Sequence, residues 1–136
     1  MFFLDANVAI GVMTRRAPHL VARIEVELAI ATPLYVSVVV LYELKYGARK
    51  SAFPERNLAR LDDFLASVSA IVSFDADDAR EAGEIRAHLE NKGTPIGPYD
   101  VLIAAQARRR GAALVTLNRR EFDRVPGLIV TDWPAA

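Results

Sequence analysis

Short apolar runs rich in β-branched and aromatic residues alternate along this chain with longer stretches whose apolar residues recur at helical spacing. The runs Phe2–Leu4, Leu34–Ser37, Ile71–Phe74, Ala113–Thr116 and Leu128–Val130 read as strands. Each is mostly apolar on both faces, the pattern of strands covered by helices on each side. Ala17–Ile30 and Val39–Arg49 carry apolar residues at helical spacing, and Leu58, Leu61, Leu65 and Val68 form one stripe. Asp75 with Asp78 three residues later predicts a cap opening a helix to about Asn91, with Ala79, Ala82, Ile85 and Leu89 inward and Gly93 at its end. Pro98 suits the first position of a further helix. The run Val101–Ala105 is apolar nearly all round, so that helix should be buried, emerging at Arg108–Arg110. With no internal repeat or linker, the alternation predicts an α/β fold on a parallel sheet.

Composition narrows the chemistry. A chain of 136 residues fits one domain spanning 1–136. It has no cysteine, which excludes disulfide scaffolds, thiolate zinc sites and thiol catalysis. No apolar run reaches the ~18 residues of a membrane span, and an acid at position 5 argues against a signal peptide. A soluble, cytoplasmic protein is expected. The formal net charge is zero, but from residue 101 onward six Arg face three acids, and between 55 and 90 four Arg face nine. Such asymmetry can orient a polyanion, although solvated helix faces produce it more often.

Three acids stand out by position. Asp5 follows the first strand, Glu43 lies early in the helix after the second, and Asp100 sits in the first turn of the apolar helix before the fourth. Ligands of open parallel sheets bind beyond the carboxyl ends of the strands, near a reversal of strand order. Asp5 and Glu43 belong to that edge, and Asp100 joins them if its helix points its N-terminus there. Two carboxylates ~5 Å apart at an effective dielectric of ~20 repel by roughly 3 kcal/mol. A converging trio therefore requires protons or a divalent cation, and oxygen donors suit Mg²⁺ or Mn²⁺. Taken singly, Asp5 reads equally well as a helix cap, Asp100 as a complement to the helix dipole, and Glu43 as a surface acid near Lys45. His19 and His88 have no serine or acid motif beside them, and Gly93 and Gly97 lack the lysine and hydroxyl of a phosphate-binding loop.

Five segments in order carry a resemblance: Phe3-Leu4-Asp5-Ala6-Asn7, the stretch Ser37 to Ala48, Gly93-Thr94-Pro95-Ile96-Gly97-Pro98-Tyr99-Asp100, Leu102-Ile103-Ala104-Ala105, and Leu114 to Phe122 running into Arg124–Leu128. Together they resemble the PIN-domain family and, within it, the VapC toxins of bacterial toxin–antitoxin pairs. The resemblance implies a PIN fold of about five parallel strands flanked by helices on both faces, a homodimer, and a Mg²⁺- or Mn²⁺-dependent endoribonuclease with Asp5, Glu43 and Asp100 as its acidic triad. It implies a structured RNA substrate, with tRNA anticodon loops favoured, and a VapB-type antitoxin that wraps the toxin and inserts a basic side chain into the acidic pocket. Two departures stand out: Ala6 replaces a common threonine, and Asn118 occupies the place of a frequent fourth acid, which Glu121 is placed to supply instead. Thr116, Asn7 and Ser37 are positions from which hydrogen bonds would hold the acids, and Arg119, Arg120 and Arg124 would contact RNA.

Two rivals share the layout. Phosphotransfer receivers and aspartyl phosphatases also place Asp after the first strand, but need a second acid where Asn7 stands and a late lysine that residues 101–136 lack. A PIN-like module that grips RNA or a partner without cutting is the other.

Overall fold

The computed structural model describes residues 1–134. Its elements are β1 (Phe2–Leu4), α1 (Ala6–Met13), α2 (Pro18–Ala29), β2 (Leu34–Ser37), α3 (Val38–Lys50), α4 (Pro54–Ser67), β3 (Ala70–Val72), α5 (Ala76–Asn91), α6 (Pro98–Arg109), β4 (Ala113–Val115), α7 (Arg119–Phe122) and β5 (Ile129–Thr131). The strands form a five-stranded sheet in the order β3-β2-β1-β4-β5, and every pairing is parallel. This order reverses direction between β1 and β4, so the ligand crevice of such a sheet falls beyond the C-terminal ends of those two strands. It also separates the chain from the receiver layout, whose order is 2-1-3-4-5.

Helices α1 to α4 pack on one another and α5 packs on α6, the two groups that right-handed crossovers on either side of the strand reversal would place on opposite faces. Phe3, Leu4, Leu34, Val36, Leu114 and Val115 of the central strands are buried, with Leu20, Leu44, Leu61 and Phe64 among the residues around them and Ile85, Leu89, Ile103 and Phe122 among the rest of the same cluster. Helix α6 is as enclosed as its composition requires, with Val101 and Ile103 to Ala107 buried. Buried Gln106 donates to the carbonyls of Val72 and Ser73 at 3.3 and 3.1 Å, tying α6 to the end of β3.

Some local expectations shift. Strands β3 and β5 are the sheet's edges and are largely open to solvent, so they are not covered on both faces as their composition implied. Helix α1 carries no strong sequence pattern and was absent from the expected elements. It begins at once after β1 because Asp5 caps it. In α5 the expected capping box is present, with the Asp78 N–H donating to Asp75 Oδ1 at 2.8 Å and the Asp75 N–H returning to Asp78 Oδ2 at 3.1 Å. Yet Asp78 faces inward, where Ala79 was expected, and Ala79 is exposed. The reason lies on α6. Arg109 Nε meets Asp78 Oδ1 at 2.9 Å and Arg110 meets it at 2.8 Å, while Arg109 also pairs with Asp75 and Arg108 with Glu81. Three arginines of the basic end are therefore paired with three acids of the acidic stretch.

Candidate functional site

The strand reversal brings two loop entries together at the sheet's C-terminal edge. The Asp5 N–H donates to the Val115 carbonyl at 2.9 Å, extending the β1–β4 ladder to its last rung. One Asp5 carboxylate oxygen accepts from the Ala6 N–H at 2.8 Å and so caps α1. The other accepts from the Thr116 hydroxyl at 2.8 Å. Asp5 is thus a helix cap as well as a candidate site acid, and its two bonds fix the direction of the carboxylate. Burial pushes its pKa up, against the lowering effect of those hydrogen bonds. Thr116, fully buried, also accepts from the Asn118 N–H at 3.0 Å. One hydroxyl therefore ties the first strand's acid to the entry of α7.

Ser37 sets the second corner. Its side chain accepts from the Val39 N–H at 3.0 Å and starts α3 on the last residue of β2. That start carries Glu43 to the crevice, where Glu43 Oε1 is buried without a hydrogen-bond partner. Burial raises the Glu43 pKa, and the charge of Asp5 raises it further.

Asp100 enters from the first turn of α6, after Gly97 and Pro98. Its pKa is pushed up to about 7, first by burial, then by the charges of Asp5, Glu121 and Glu43, and by a carboxyl-to-carboxyl hydrogen bond with Glu121. A Cβ at Gly97 would stand 3.1 Å from Asp100 Oδ2, so glycine is what lets the carboxylate fold back over the helix start. That role left no signal in the sequence beyond the glycine itself.

Glu121 and Asn118 share the fourth corner, with the Asn118 amide donating to Glu121 Oε2 at 3.0 Å. The neutral residue orients the acid. Asp100 thus feels the charges of Asp5, Glu43 and Glu121 in a half-buried crevice, and burial first, then those charges, brings its pKa to about 7. Among the described residues no group of three or more His, Asp or Glu side chains forms a ready-made metal cage.

The remaining expected residues divide. Asn7 lies in the first turn of α1 and is exposed, and no side-chain bond joins it to the acids. Arg119 is engaged with Asp123 at 3.3 Å and Asp132 at 3.8 Å. Arg124 donates to the Pro95 carbonyl at 3.0 Å, bracing the loop before α6. Arg120 is exposed and has no ion pair among the described residues. Two residues not singled out as site candidates complete the rim. Tyr42 and Tyr99, the chain neighbours of Glu43 and Asp100, meet edge to face with ring centroids 5.7 Å apart.

Known proteins are similar to this chain over nearly its whole length. A tRNA(fMet)-specific endonuclease VapC of Salmonella typhimurium is 41% identical over 132 residues, covering 97% of each chain. The solved DNA-bound VapBC of the same organism superposes with a TM-score of 0.89 at 41% identity over 98% of each chain. VapBC2 of Rickettsia felis bound to a promoter fragment gives 0.90 at 35% identity, again over 98% of each. The PIN domain model matches residues 2–128, and the chain belongs to the PIN-domain family.

Proposed function

We propose that this chain is the toxin of a VapBC-type toxin–antitoxin pair, a cytoplasmic, dimeric endoribonuclease that hydrolyses structured RNA, with a tRNA anticodon loop as its target. The observation that carries the reading is the crevice of four mutually repelling acids with Asp100 near neutral pKa and one Glu43 oxygen buried without a partner. The relatives named as a tRNA endonuclease and as VapBC complexes support the substrate and the partner. Oxygen donors alone, with room for water to complete the shell, suit Mg²⁺ or Mn²⁺. Asp5, Asp100 and Glu43 would hold the ion, with Glu121 at the fourth corner oriented by Asn118. Such a cation supplies charge neutralisation at the phosphodiester and lowers the pKa of water for attack.

The chain's own residues do the rest. Thr116 keeps the Asp5 oxygens directed into the crevice, and the Ser37 cap keeps α3 seated so that Glu43 faces them. Water adds to the scissile phosphorus and the 3′ oxygen leaves, giving a 5′-phosphate and a 3′-hydroxyl. A cleft of about 230 Å³ lies beside Glu43, lined by Ile10, Met13, Leu44 and Leu61, with Arg60 on its wall. An apolar segment bearing one basic side chain fits it, with the cation satisfying the unpaired Glu43 oxygen, and this is how the antitoxin would silence the site.

Purified protein should cleave tRNA(fMet) with Mg²⁺ or Mn²⁺ and lose that cleavage in EDTA, with recovery on metal return. EDTA-resistant cleavage sinks the mechanism, and tight binding of uncut RNA with metal present would favour the non-cleaving module. Gly97→Ala should weaken Mn²⁺ binding roughly tenfold by displacing the Asp100 carboxylate. Calorimetric titration checks this, and an unchanged affinity would show that Asp100 Oδ2 does not need the space.

A further inference from the structure

We propose that Tyr99, Tyr42 and Tyr46 form a stacking ladder, closed by Lys50, that takes unpaired RNA bases beside the acid crevice; this rests on the ribonuclease reading above.

Tyr42 precedes Glu43 on α3, Tyr99 precedes Asp100 on α6, and the two rings meet edge to face at 5.7 Å, which sets both beside the crevice that those helices border. They are 54% and 47% exposed, and Tyr46, one helical turn beyond Tyr42, is 57% exposed. Residues 42, 46 and 50 fall on one face of α3 at i, i+4 and i+8. Each step advances about 6 Å along the axis. Lys50 Nζ sits 5.7 Å from the Tyr46 ring centroid, and Lys50 has no ion pair among the described residues.

The chemistry of this rim favours bases over phosphates. Four acids make the crevice repulsive to a polyanion, so RNA needs a hold there that adds no charge next to the acids. Aromatic faces provide one, since base–ring stacking is sequence-tolerant and neutral. A free ammonium at the far end of the ladder then takes a phosphate out of reach of the acids. Sequence-specific RNA recognition works on unpaired bases splayed onto aromatic side chains, so the ladder fits a loop and rejects a duplex. Val38 is 37% exposed one turn before Tyr42, so the competing occupant of this face is a second copy of the chain.

The test uses the full chain carrying Asp5→Asn, which should bind without cutting, and an anticodon stem–loop of tRNA(fMet) with 2-aminopurine in the loop. Binding should quench the probe. Tyr42→Leu, Tyr99→Leu and Tyr46→Leu should each remove quenching and weaken loop binding about 5- to 150-fold, while the Phe variants keep both. Duplex binding and the mass measured by light scattering should not change. Leu variants that bind and quench like Phe variants overturn the ladder. Weaker binding accompanied by a drop in mass also overturns it, assigning the face to a second copy. The chain with Asp5 intact is assayed on the same RNA with Mn²⁺. Cleavage there with Leu variants unaffected refutes the ladder alone, whereas absence of both cleavage and binding refutes the ribonuclease reading and the ladder with it.

Discussion

Asp100→Asn is expected to lower RNA cleavage by at least ~10²–10³-fold while the protein stays folded, and Asp5→Asn to do the same. Each change keeps the shape of the side chain and removes one anionic oxygen donor from the crevice. Asp100 is the more telling of the two, because the loss carries a second signature. With its folded pKa at about 7 against an ordinary 3.8, metal-free Asp100 takes up a proton on folding. That contribution to stability is complete below the unfolded value and is lost as pH rises through about 7. The metal-free protein should therefore melt at progressively lower temperature from about pH 4 to pH 7 and level off above that, on the order of a few degrees. Asp100→Asn should flatten that slope, and saturating Mn²⁺ should do so in the unaltered chain, releasing the proton as it binds. A melting profile in which the variant keeps the slope would place the titrating group elsewhere. In cells, induction of the unaltered chain should arrest growth and induction of Asp100→Ala should not.

The largest effect on stability is expected at Asp78, far from the crevice. Its side chain is 0% exposed and accepts from Arg109, Arg110 and the Asp75 N–H, while its own N–H donates to the Asp75 carboxylate. Burial raises its pKa, but the hydrogen bonds and charges of the two arginines outweigh that and hold it below the usual carboxylate range. Asp78→Ala removes a capping-box partner and leaves two guanidinium groups facing a cavity. The arginine side chains remain 29% and 22% exposed, so water relieves part of the damage. A loss of about 2–4 kcal/mol is expected, with melting lowered on the order of 10 °C. Because the folded pKa is depressed, this stabilisation is present above the unfolded value near 4 and disappears as pH falls below it. Urea unfolding at pH 7 and pH 3 checks both points. A difference between Asp78→Ala and the unaltered chain that is the same at the two pH values would show that charge plays no part.

Several features of the site were legible because they leave local marks. Asp5 after an apolar strand, Pro98 opening an apolar helix, and the box Asp75–Asp78 are each written in a few adjacent residues. Helix α1 was not, since Ala6–Met13 lacks a polar face and is recruited to the helix by its Asp5 cap and its packing. The fourth corner stood as Asn118 or Glu121, and the fold brings both into it, one orienting the other at 3.0 Å. Tyr42 and Tyr99 were passed over because two tyrosines 57 positions apart show no relation until α3 and α6 are packed. The partners of the arginines had no local mark either. The end of α6, expected to emerge into solvent at Arg108–Arg110, instead pairs with acids of α5, and of the three arginines expected to contact RNA, Arg119 pairs with Asp123 and Arg124 holds the Pro95 carbonyl.

By itself the sequence determined the α/β alternation, the buried α6, and three acids each placed at the mouth of an element. Hydrophobic period and capping act over a turn or two, so they can be read in one dimension. Only the tertiary structure decided that Asp5, Glu43, Asp100 and Glu121 lie close enough to act on one another, and that the arginines ending α6 pair with the acids opening α5. Both depend on the order β3-β2-β1-β4-β5, which brings Thr116 within 2.8 Å of Asp5 across 111 positions of chain. A strand reversal of that kind is set by long-range packing and has no local signature in the residues that it brings together.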